Sequence, residues 1–181
     1  EVLDTMQQLR PIVSIPLIVM TYMNPIYAYG IGSFIFDAKK AGVDGCIIPD
    51  LPVEEEDIIA THLDGAGIEL IRLVTLTSPI DRIKEIAGKG NGFLYAVTVT
   101  GITGARAEFN EKVGEYLQNI KEVSPIPVLA GFGISTPEHV KGMAQYCYGV
   151  VVGSKIVDLF HQGKQDEIES LIQASKTVHI G

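Results

Sequence analysis

Short apolar runs alternate with amphipathic stretches along almost the whole chain. The runs are LIVMT (17–21), GCIIPD (45–50), LIRLVT (70–75), FLYAVT (93–98), PVLAG (127–131) and GVVVG (149–153). They are rich in Val, Ile and Leu and alternate poorly, the pattern of strands buried on both faces. Between them apolar residues recur at helical spacing. Helices are predicted at about 1–9, 31–42, 54–64, 79–87, 109–122, 136–146 and 155–175, the last broken near Gly163. Ser78 before Pro79 reads as an N-cap with a first-turn proline, and Ser135 with Glu138 as a capping box around Pro137. The acids of VEEED (53–57) fit a helix start, where the dipole favours negative charge.

Strand–helix units in strict alternation predict parallel strands joined by right-handed crossovers. An open doubly wound sheet and a (β/α)8 barrel both satisfy that rule. A barrel takes about 250 residues, and 181 falls short by roughly two units. The opening EVLDTMQQLR already shows helical spacing at Val2, Leu3, Met6 and Leu9, with no N-cap before Glu1. The expectation is therefore an N-terminally incomplete (β/α)8 TIM barrel in a single domain over 1–181. It comprises about six βα units, strands 3 to 8, preceded by a partial helix.

Composition narrows the function classes. The net charge is −8 with no basic stripe, which argues against nucleic-acid and anionic-membrane binding. No apolar run approaches the roughly 18 residues of a membrane span. Cys46 and Cys147 lie inside apolar runs and read as small buried hydrophobes. The histidines (His62, His139, His161, His179) fall in helices or the tail, so no metal site is expected.

Chemistry concentrates where strands end. The last two strands finish in AGFGIS and VVVGSKIVD, so Gly133 and Gly153 let two consecutive corners approach one ligand, with Ser154 able to cap its helix and bond a phosphate oxygen. Gly131-Phe132-Gly133 supplies half of a dinucleotide-binding fingerprint, but Thr136 stands at the third glycine position and no acid closes a following strand. TVTGITGARAEFN (98–110) has the small polar composition of a lid that closes over a substrate, or of an ordinary mobile loop. Asp50 sits at a strand end between two prolines, suited to act as a base or to bond a neighbouring loop, and structural use is favoured. Tyr22 and Tyr95 could line an apolar pocket or belong to the core.

Together PDLPVEE, VTGITGAR, GFGIS and VVVGSKIV, in this order, resemble the alpha subunit of tryptophan synthase, as does TYMNPIYAYG after the first run. The resemblance implies a lyase of tryptophan biosynthesis that cleaves indole-3-glycerol phosphate into indole and glyceraldehyde 3-phosphate by a retro-aldol step. It implies a cytoplasmic alpha-beta-beta-alpha heterotetramer. In it the beta subunit carries pyridoxal phosphate and the alpha chain carries no cofactor. Gly104, Gly133, Gly153 and Ser154 would hold the phosphate, and Thr103 would be the lid residue. Tyr22, Tyr95 and Phe132 would shape the indole pocket, while Asp50 and Pro52 would belong to the loop coupling to the beta subunit. The family's catalytic glutamate and aspartate correspond to a segment upstream of Glu1, so no residue here takes their role and little lyase activity is expected of this segment alone. Two other readings remain: a different phosphate-sugar barrel isomerase or synthase, and a non-catalytic fragment that only binds the beta subunit.

Overall fold

The structure is a computed structural model that describes residues 1–75, 77–97, 106–131 and 133–176, with the side chains of 106–112 excepted. The chain divides into two compact units, Glu1–Arg72 with Gly90–Gly92, and Leu73–Lys89 with Phe93–Gly181.

In the first unit the helix α1 (Val2–Leu9) leads into β1 (Ile18–Met20), then α2 (Met23–Tyr29), α3 (Ile31–Lys40) and β2 (Gly45–Ile47). A 3₁₀ turn (Val53–Ile58), α4 (Ala60–Ala66) and β3 (Glu69–Ile71) complete it. The three strands are parallel in the order β1-β2-β3, with Val19 opposite Cys46 and Cys46 opposite Leu70. Their side chains meet Ile26, Phe34, Ile35, Ile59 and Leu63 from the helices in one buried cluster. Each fully buried Ile or Leu contributes about 1.5–3 kcal/mol, so this cluster dominates the local energetics. Arg10 ties two connections together at the start of the strands: its guanidinium donates to Asp44 Oδ2 (2.7 Å) and to the Val13 and Ile15 carbonyls.

The second unit runs β4 (Leu73–Thr75), α5 (Ile80–Gly88), β5 (Leu94–Val97), α6 (Arg106–Val123), β6 (Val128–Gly131), α7 (Pro137–Met143), β7 (Gly149–Val150), α8 (Ser154–His161) and α9 (Gln165–Lys176). Its strands are parallel in sequence order, β4-β5-β6-β7. Val113, Leu117 and Ile120 form the buried stripe of α6, at the spacing of one helix face, alongside Leu94, Ala96, Val128 and Ala130 from the strands.

Every apolar run became strand, with three departures elsewhere in the pattern. The run 70–75 is split at Arg72 into β3 and β4. The corner 21–30 contains a helix, α2, whose proline lies in the first turn and which Gly30 (φ 89°) ends. The first turn of the helix predicted at 54–64 is 3₁₀. Two predicted caps shift by one residue. Pro79, not Ser78, precedes α5, and the Ser78 hydroxyl accepts instead from Thr75 N–H (3.1 Å). Thr136, not Ser135, caps α7 by accepting from His139 N–H (3.2 Å), which places His139 where a capping box needs a glutamate. The break near Gly163 (φ 70°) separates α8 from α9 as expected.

Candidate functional site

In the first unit the ends of β1 and β2 are held side by side, with Thr21 N–H donating to the Ile47 carbonyl (3.0 Å). The chain leaving β1 turns at Tyr22 into α2, and Tyr22 offers no side-chain cap. Asp50 supplies one from the neighbouring loop: its two carboxylate oxygens lie 3.0 and 3.2 Å from Met23 N. A carboxylate on the first amides of a helix is the arrangement the dipole favours. Asp50 thus bonds a neighbouring segment. Tyr22 itself is 61% exposed, and Pro52 is an exposed residue at the entry to the 3₁₀ turn.

That turn carries the single buried charged residue among the described ones, Glu56. Arg72 meets it with a two-pronged contact, Nε to Oε2 at 2.9 Å and Nη2 to Oε1 at 3.2 Å, and also donates from Nη1 to the Leu70 carbonyl (3.3 Å). The sequence reading missed this pair by assigning all the acids of 53–57 to the helix dipole. The available signal was an arginine standing alone in an apolar strand run.

In the second unit Tyr95 projects from β5 over its β6 neighbour. A Cβ on Gly131 would fall 2.5 Å from the Tyr95 ring and hydroxyl. Gly131 is therefore bare to admit this tyrosine, and burial pushes the Tyr95 phenol above its ordinary pKa. Tyr116 from α6 donates its hydroxyl to the Thr75 carbonyl at the end of β4, and burial raises it to about 12.

Gly133 and Gly153 differ from Gly131. Both are exposed, and a Cβ on either would meet nothing within 4 Å. Gly133 has φ 62°, a left-handed conformation that disfavours other residues. The β6–β7 register pairs Ala130 with Val150, and each glycine stands three residues beyond that pair. Ser154 is the first residue of α8 with Gly153 at its N-cap, so the serine does not cap the helix as expected. Its hydroxyl has no hydrogen-bond partner among the described residues. Nor does any acceptor among the described residues take the N–H groups of Gly133, Ile134, Ser135, Gly153, Ser154 and Lys155. The first turn of α8 contains no acidic side chain. Amides without acceptors among the described residues, at a helix start free of carboxylates, suit an anion.

Thr103, Gly104 and Phe132 lie outside the described residues. The other polar candidates are simply placed. Cys46 and Cys147 are both buried and free, with the Cys46 thiol pushed up to about 12 by burial. Among the described residues no group of three or more His, Cys, Asp or Glu side chains converges for a metal. A cavity of about 390 Å³ in the first unit, lined by Val2, Leu3, Val19, Met20, Ile26 and Phe34 among others, includes none of the candidate site residues.

Parallel βα units with open amides beyond the last two strands define an α/β protein of the (β/α)8 class, here in part. Comparison with known proteins makes the assignment specific. The family described as "Tryptophan synthase alpha chain" matches residues 1–179, and the chain belongs to that family. A tryptophan synthase alpha chain from Bacillus cereus is 53% identical over 169 residues, covering 93% of this chain and 66% of its own length. The chain thus spans 66% of the length of such relatives. Among solved structures, the tryptophan synthase a2b2 complex of Pyrococcus furiosus contains a chain 32% identical, with TM-score 0.85 over 94% of this chain and 72% of that one. The tryptophan synthase subunit alpha of Campylobacter jejuni is 32% identical, with TM-score 0.81 over 94% of this chain and 68% of that one.

Proposed function

We propose that this chain supplies the phosphate-binding side and part of the pocket of a tryptophan synthase alpha subunit. The activity is carbon–carbon cleavage of indole-3-glycerol phosphate to indole and glyceraldehyde 3-phosphate. The observation that carries the reading is the set of N–H groups at Gly133–Ser135 and Gly153–Lys155, left without an acceptor among the described residues. Backbone donors hold a phosphate dianion without a cationic side chain, and the Ser154 hydroxyl adds one further donor. Gly104 completes the phosphate contacts in this reading, and Thr103 acts in the lid.

The half-buried Tyr95 lines the indole site, and Phe132 shares that role in this reading. Fixing the phosphate at one end orients the glycerol carbons for bond cleavage at the other, and such positioning lowers the barrier without itself moving a proton. The proton transfers need carboxylates that this reading assigns to no residue of the chain. General acid–base groups contribute about 10²–10⁴-fold each, so turnover by these residues alone is negligible.

The corner at Asp50 and Pro52 couples this domain to a beta subunit that holds pyridoxal phosphate, in a cytoplasmic alpha-beta-beta-alpha assembly. Both compact units belong to one phosphate-binding domain on this account. No described helix is long and apolar enough to cross a membrane.

Calorimetric titration tests the reading. Indolepropanol phosphate should bind while phosphoribosyl compounds of similar charge should not. Equal binding of both, or of neither, rejects it.

A further inference from the structure

The Glu56–Arg72 pair lies apart from every residue given a role above, and its placement suggests one. Glu56 stands six residues after Asp50, on the 3₁₀ turn that begins at Val53. That turn is short, and its neighbours Glu54, Glu55 and Asp57 are exposed. Arg72 stands where the apolar run breaks between β3 and β4, fixed by its own bond to the Leu70 carbonyl. The side chains are only 11% and 7% exposed for Arg72 and Glu56. Two parallel N–H···O bonds from a planar guanidinium fix direction as well as distance, which a single contact does not. The path from the strand break to the start of α2 then runs without a gap: Leu70 carbonyl, Arg72, Glu56, the turn, Asp50, Met23 N–H.

We propose that Arg72 is a positioning residue that, through Glu56, sets where the Asp50–Pro52 corner lies against the N-terminus of α2. Its functional weight rests on the reading of that corner as the coupling loop. The pair fixes the corner's geometry in the free chain, so that a partner meets a preformed loop. A hydrophobic pair of similar volume would fill the space yet lose the direction.

The test follows the Met23 amide proton in the ¹⁵N-labelled chain, with Asp50→Ala giving the resonance position for a lost side-chain acceptor. In Arg72→Leu, and in the paired replacement Glu56→Leu with Arg72→Leu, the Met23 resonance should move most of the way toward the Asp50→Ala position. The Cys46 amide, inside β2, should stay in place. Arg72→Lys, which keeps the charge but loses the fork, should restore part of the native position. Where the single leucine variant does not fold, the paired replacement decides. A folded paired variant with Met23 unmoved, or a shift shared equally by Cys46, overturns the proposal. Titration of the same samples with indolepropanol phosphate reports separately on the functional reading, because its phosphate contacts lie in the other unit.

Discussion

At the Asp50–Pro52 corner the polar groups close on one another, whereas beyond β6 and β7 they are left open. Asp50 takes the first amide of α2, and Arg72 meets Glu56 with a two-pronged contact inside the first unit. At Gly133 and Gly153 the backbone N–H groups find no acceptor among the described residues. Both corners look alike as sequence, being short, turn-rich and at strand ends. The difference teaches that a strand-end corner is read as a ligand site only after its donors have been counted against its acceptors. The carboxylate of the first corner is matched to an amide of α2, whereas the amides of the second meet no acceptor among the described residues.

Substitutions should separate the two corners, and the largest effect falls on the closed one. Arg72→Leu removes the guanidinium from a buried carboxylate and should lower stability by about 3–5 kcal/mol in urea unfolding, while the paired replacement with Glu56→Leu should recover part of it. No recovery in the pair would mean that the loss in Arg72→Leu is not the cost of a buried carboxylate deprived of its guanidinium.

A second test reports on the closed interior through pH. The Cys46 thiol ionises near 9.0 when unfolded, but burial holds its proton to about 12 in the fold. The sign follows directly. Its contribution to stability is complete below about pH 9 and is lost as pH rises toward 12, by about 1.4 kcal/mol per unit. Wild type should therefore lose about 2 kcal/mol relative to Cys46→Val between about pH 8 and pH 10.5. A constant difference would place Cys46 in contact with water.

At the open corner, Ser154→Ala should leave the melting temperature unchanged and weaken phosphate-ester affinity about tenfold, the worth of one hydrogen bond to a charged group. The reverse outcome would make Ser154 structural. The smallest effect concerns the helix between the two open corners. Thr136→Ala should cost about 1 kcal/mol in thermal unfolding, and Ser135→Ala should cost clearly less.

The strands and most helices were legible because burial on both faces leaves a dense Val/Ile/Leu signature that no other element imitates. What escaped were features set by long-range pairing. Nothing within five residues of Glu56 announces that Arg72 waits beneath it, and its acidic neighbours disguise it as part of a helix start. The helix α2 was hidden because its N-terminus is capped by Asp50 from another loop, where local rules look for Ser, Thr, Asp or Asn at position 22 and find tyrosine. Gly131 was read together with Gly133 as a site for close approach. The approaching group at Gly131 is the protein's own Tyr95. Gly133 and Gly153 are singled out by the glycine-bearing ends of the last two strands and by the resemblance, and whether an anion occupies their amides is what the ligand titration tests.

The most direct measurement is a titration of the ¹⁵N-labelled chain with indolepropanol phosphate, followed at individual backbone amides. The largest shifts are expected at Gly133–Ser135 and Gly153–Lys155, with Cys46 unmoved. Saturable binding that leaves those amides in place and shifts others would contradict it.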